Sequence, residues 1–115
     1  PALAEAQVHG GMSMGIGYGL SEQLLFDEKT GRPLNNNLLD YKIPTAMDAP
    51  DLHVEFIQLD DPTGPYGNKS LGEPPAIPVA PAVRNAILNA TGVHMNVSPM
   101  TAQRLIEKFK EKGLI

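Results

Sequence analysis

An α+β, loop-rich chain with about three helices and a few short strands is the fold class the sequence predicts. Three observations carry that reading. Apolar residues recur at helical spacing in three separate stretches. One short run, His53 to Leu59, alternates apolar β-formers with polar residues. Eleven glycines and eleven prolines punctuate the 115 residues, so much of the chain is irregular.

The first helix is predicted over Ala2 to Leu25. Gly10, Gly11, Gly15, Gly17 and Gly19 fall inside it, and each costs about 1 kcal/mol against alanine. Gly11, Gly15 and Gly19 share one face by their spacing. Such a bare face lets another backbone or a flat ligand approach closely. Leu3, Val8, Met12, Met14, Ile16, Leu20 and Leu24 make the rest nearly apolar all round, a helix that expects burial on most sides. "DEKTGRP", from Asp27 to Pro33, reads as a turn, and Leu34 to Pro44 as extended or irregular. His53–Leu59 is the strand, and "DDPTGPYG", Asp60 to Gly67, a loop. A second helix begins between Pro75 and Pro81 and runs to Thr91, with Val79, Val83, Ala86, Ile87 and Ala90 as its apolar stripe and Gly92 as its stop. A third spans about Thr101 to Lys112, buries Leu105, Ile106 and Phe109, and carries Lys108, Lys110 and Lys112 toward its C-terminal dipole.

Composition removes several function classes. Hydrophobic residues are 42% of the chain but aromatics only 5%, so the expected core is thin and aliphatic. A net charge of −4 argues against a nucleic-acid partner. The absence of cysteine excludes disulfides, thiolate metal sites and a cysteine nucleophile, and fits a cytoplasmic protein. No apolar run reaches the roughly 20 residues of a membrane span, and no signal-peptide pattern appears. The chain opens on Pro1, which reads as a piece of something longer.

Glu73 is the leading candidate for chemistry. In "NKSLGEPP" it stands between Gly72 and two prolines, and Pro74 pushes its backbone toward extended geometry. If the second helix starts soon after Pro75, the unpaired amides there favour an anion beside them. A carboxylate fixed in a dry pocket suits a general base. On residues alone the plainer reading, a glutamate capping a helix, stands ahead of it. Gln7, in "QVHGG", could donate and accept toward a ligand on the bare face; on pattern alone it is an ordinary exposed helical glutamine. "GIGYG" lacks a preceding strand and the dinucleotide spacing. His9, His53 and His94 show no ligand spacing, so no metal held by protein side chains is expected. Lys69 and Ser70 could hold the loop or a ligand, or be plain solvated residues.

Taken in order, "QVHGGMSMGIGYGLSEQL", "LLDYKIPT" and "NKSLGEPPAIPVAPAVRNAI" resemble the C-terminal part of the molybdenum-binding subunit of the xanthine dehydrogenase and aldehyde oxidase family, from about Ala2 to Lys108. The resemblance implies that residues 1–115 are an incomplete part of a molybdopterin-binding domain. It implies an oxidoreductase that hydroxylates a purine, another N-heterocycle or an aldehyde with oxygen from water. The implied cofactor is molybdenum held by a pterin, in bacteria often as a cytosine dinucleotide. Glu73 takes the place of the family's general base. Gln7, with Gly10 and Gly11 beside it, takes the place of residues near the pterin. Iron–sulfur and, in some members, flavin domains or subunits carry the electrons away. Family subunits are several times longer, so the isolated chain is expected to be inactive, to bind the cofactor poorly and to self-associate through exposed apolar surface. The competing reading is a non-catalytic interaction module that uses the proline-rich turn and the glycine-faced helix to bind a partner protein.

Overall fold

The computed structural model describes all residues from Pro1 to Ile115. Helix α1 spans Ala2–Leu20, α2 spans Val79–Thr91 and α3 spans Ala102–Glu111, with short 3-10 turns at Pro65–Gly67 and Pro74–Ala76. The loop-rich, three-helix expectation holds. Strand content reduces to a single bridge between Phe26 and Pro33.

Two helix boundaries follow from their caps. Gly92 takes the left-handed conformation, φ 70°, and its N–H closes on Leu88 O to end α2. Thr101 caps α3 by accepting from the Arg104 amide. The first helix stops five residues earlier than its apolar pattern suggested. Both Ser21 and Glu22 amides fold back onto Gly17 O, and the Ser21 hydroxyl donates to Lys42 O at 2.8 Å. A side chain able to bond elsewhere thus competes with continued helix. The next residues form a tight hairpin. Asp27 accepts from Lys29 N, Thr30 N and the Thr30 hydroxyl, and Asn35 bridges Gln23 O and Leu25 N.

The glycine face of α1 is filled by its own chain. A Cβ at Gly11 would lie 2.8 Å from Pro75 Cβ, at Gly15 2.5 Å from Val79 Cβ, and at Gly19 3.3 Å from Ala80 Cβ. The turn after Glu73 and the start of α2 therefore lie directly on the α1 backbone. The chain then returns beneath α1, where Met100 N donates to Gly19 O and the Ser98 hydroxyl to Tyr18 O. Val93, Met95 and Met100 form the buried core, with Leu20, Val83, Ile87, Leu105 and Phe109 packed round it. Ile106, expected on the buried edge of α3, is 46% exposed. The core lies against Leu105 and Phe109, and Ile106 is turned some 100° from Leu105.

The predicted strand His53–Leu59 has no partner. No backbone group from residue 49 to residue 60 hydrogen-bonds to another backbone group, and Ile57 is 89% exposed. Alternation specifies which face a strand buries, but a ladder needs a second strand, and none in this chain lies beside it. The surface points the same way. The chain exposes 8831 Å², against about 6,100 Å² for a folded monomer of this mass. Its radius of gyration is 17.7 Å, against about 13 Å for a compact chain of this length. The excess, about 2,700 Å², has the size of an obligate interface.

Candidate active-site segment

Glu73 sits at the head of the short turn Pro74–Ala76, not at the start of α2, which begins at Val79. Its backbone is αR, φ −101° and ψ −25°, rather than extended as the following proline suggested. The Ala76 N–H closes onto Glu73 O at 3.0 Å, and that turn bond overrides the preference set by Pro74. The carboxylate does not cap the turn. It makes no ion pair and no hydrogen bond, and it is exposed. The capping reading therefore fails: this acid is positioned by its neighbours while its own oxygens stay unpartnered.

The structure brings Gln7 to Gly72, the residue before Glu73. Gln7 Nε2 donates to Gly72 O at 2.6 Å, across 65 residues of sequence. The Gln7 Oε1 accepts nothing within the chain, so one end of this amide fixes the loop and the other is open. Gly10 and Gly11 separate at this point. Nothing lies within 4 Å of a Cβ built at Gly10, whereas Gly11 is buried under Pro75. A close approach by a flat ligand along the whole glycine face is thus ruled out by the chain itself; the open flank is at Gly10. The interaction-module reading loses its surface for the same reason, since the proline turn and the glycine face cover each other.

Tyr18 was not singled out from the sequence. Its hydroxyl donates to Ala76 O, on the far side of Glu73 from Gly72. Only its position on the Gln7–Gly11–Gly15 face, one turn beyond Gly15, could have flagged it. Lys69 and Ser70 are exposed loop residues. They border an open groove of about 520 Å³ between the Phe56–Asp60 stretch and the Tyr66–Leu71 loop. A second cavity of about 410 Å³, lined by Ala80, Arg84 and Met95 among others, belongs to the α2–core side. Neither includes Glu73, Gln7 or Gly10, all three of which are exposed. No three His, Asp or Glu side chains converge to hold a metal ion. His9 lies some 200° around α1 from Gln7, with its Nε2 shielded from solvent and unpartnered. No helix is long and apolar enough to cross a membrane.

Residues 1–50 match a family model described as a molybdopterin cofactor-binding domain. The whole chain is 56% identical to part of the xanthine dehydrogenase molybdenum-binding subunit of Escherichia coli O157:H7, of which it spans 15%. Over 96% of its length it is 35% identical to the aldehyde oxidoreductase molybdenum-binding subunit PaoC of Escherichia coli K12, again spanning 15% of that protein. Among solved structures, quinoline 2-oxidoreductase from Pseudomonas putida 86 superposes with a TM-score of 0.87 at 32% identity, over 96% of this chain and 14% of that one. The Cu,Mo-CO dehydrogenase superposes at 0.82 with 30% identity, over 99% of this chain and 15% of that one. The chain thus spans about 15% of the length of the curated relatives it matches, and over almost all of its own length it is similar to one segment of the molybdenum-binding subunits of xanthine dehydrogenases and aldehyde oxidoreductases.

Proposed function

We propose that this segment carries the general base of a molybdenum hydroxylase, an oxidoreductase that places a water-derived oxygen on a carbon of a purine, another N-heterocycle or an aldehyde. The observation that supports this most is the Gln7–Gly72 hydrogen bond, because it brings the glutamine motif and the glutamate motif to one surface. The residues present fit a pterin laid against the segment from outside. Gly10 leaves an open cradle that a Cβ would narrow, the free Gln7 oxygen accepts a ligand N–H, and the Glu73 carboxylate is unengaged.

When bound, the molybdenum-pterin would supply the acceptance of two electrons from the substrate. Glu73 would take up, at a carboxylate oxygen, the proton lost by the incoming oxygen. Such a base needs to stand within about 2.6–3.2 Å of the proton's donor atom, and the fixed Gly72–Ala76 turn holds its Cα for that. Gly11 serves in packing, by seating Pro75. The reading extends to the form of the cofactor, the partners and the assembly. The pterin takes the cytosine dinucleotide form, the remainder of the molybdenum subunit covers the excess surface, iron–sulfur and flavin subunits or domains remove the electrons, and the assembly is oligomeric and cytoplasmic.

The test is Glu73→Gln in the intact subunit with its partners. Turnover should fall by about 10²–10⁴-fold while molybdenum content stays at the wild-type level. A variant that retains the wild-type rate would remove Glu73 from the chemistry.

A further inference from the structure

We infer that Tyr18 is a positioning residue for Glu73, one half of a two-point clamp by which α1 fixes the backbone on both sides of the acid; this rests on the reading of Glu73 as the base. Two α1 side chains reach the turn. Gln7 Nε2 holds Gly72 O on one side of Glu73, and the Tyr18 hydroxyl holds Ala76 O on the other. Between them, Pro75 sits on Gly11, and Ala76 O would lie 2.9 Å from a Cβ at Gly15. Residues 7, 11, 15 and 18 make one stripe down α1 by their spacing. That stripe is polar at its ends and bare in its middle. The bare part lets the turn descend onto the helix, and the polar ends grip the carbonyls that flank the acid.

The chemistry of the clamp is specific. A carbonyl needs a donor, and a tyrosine at this radius supplies one on a rigid ring with only two side-chain torsions. Phenylalanine keeps the ring and loses the donor. The turn would then be held at Gly72 and Pro75 but free at Ala76, and Glu73 could pivot about its N-terminal anchor. A displacement of about 1 Å in a catalytic group costs on the order of 10²-fold in rate, whereas substrate contacts supplied by other segments would be untouched.

The experiment compares wild type, Tyr18→Phe and Glu73→Gln in the intact assembled enzyme. Tyr18→Phe should lower kcat about 10- to 100-fold with KM and molybdenum content unchanged, the signature of a lost transition-state alignment. In the same variant, hydrogen exchange at the Ala76 and Ile77 amides should speed up at least about tenfold, while α2 from Val83 onward exchanges as in wild type. Wild-type kcat and wild-type exchange in Tyr18→Phe, alongside a dead Glu73→Gln, would overturn the clamp and leave the base assignment standing. Faster exchange with unchanged kcat would also overturn it, by showing that the hydroxyl holds the turn without aligning the acid. An active Glu73→Gln would instead remove the base reading on which the clamp depends.

Discussion

Adding one methyl group to the glycine face separates packing from helix propensity. A Gly15→Ala side chain would lie 2.5 Å from Val79 Cβ and 2.9 Å from Ala76 O. Carbon atoms prefer about 3.5–4.0 Å, so α2 and the Glu73 turn must retreat by about 1 Å. Overpacking of this kind costs about 1–3 kcal/mol, partly offset by the roughly 1 kcal/mol that alanine gains over glycine inside a helix. Gly10→Ala provides the control for packing within the chain, because no atom lies within 4 Å of the new methyl; its effect on helix stability should be the propensity gain alone. The difference between the two variants isolates the packing cost, about 1–3 kcal/mol. Native-state hydrogen exchange of α2 amides in the intact subunit reads it locally, and kcat reads the displacement of Glu73. Gly15→Ala should expose α2 and slow turnover, whereas Gly10→Ala should protect α1 slightly and act only through the cofactor, by lowering its occupancy. Identical exchange and turnover in the two variants would refute the claim that the bare face exists to seat the turn.

Acid titration should loosen three loops. Asp27, Asp48 and Asp61 are each held below the ordinary carboxylate value of 3.8, first by a hydroxyl hydrogen bond and then by an amide hydrogen bond, both from Thr30, Thr45 and Thr63 respectively. Because their folded values are depressed, their contribution to loop stability is present in full above the ordinary value and is lost as pH falls through the folded ones. Protection of the Thr30, Thr45 and Thr63 amides against exchange, relative to an unstructured chain at the same pH, should therefore fall in the intact protein only on the acid side of 3.8, and Asp48→Asn should abolish that dependence at Thr45 alone. The isolated 115-residue chain, with Leu38, Met47 and Ile57 each more than four-fifths exposed, should self-associate; a monomer at high concentration in sedimentation would contradict the estimate of uncovered surface.

The sequence made legible what depends on neighbours along the chain. Gly92 and Thr101 marked the edges of α2 and α3 because caps are local chemistry. The shared face of Gly11, Gly15 and Gly19 was visible in their spacing. Its occupant was not, since spacing shows that something comes close without showing what. The strand at His53–Leu59 failed for a related reason: alternation is a property of the run, pairing a property of its surroundings. The αR backbone of Glu73 escaped notice because the Ala76–Glu73 turn bond outweighs the steric bias of Pro74, and no rule about adjacent pairs includes it. Tyr18 escaped because a tyrosine on a nearly apolar helix looks like core, and its use appears only when Ala76 O is placed beside it.

The glycines of α1 make sense only as geometry. Five in one helix cost about 5 kcal/mol against alanine, and a chain with three buried apolar residues has little packing energy to set against that. Alanine would restore the helix, but at 11 and 15 it would meet Pro75 and Val79 well inside contact distance. Thus α1 trades its own stability for a surface on which another segment can rest at backbone range. What rests there is the turn that carries Glu73, held at Gly72 by Gln7 and at Ala76 by Tyr18. Helix stability is then owed to the covering that the chain's excess surface calls for. It follows that α1 should loosen first when that covering is removed, and that Glu73 should lose its fixed position with it.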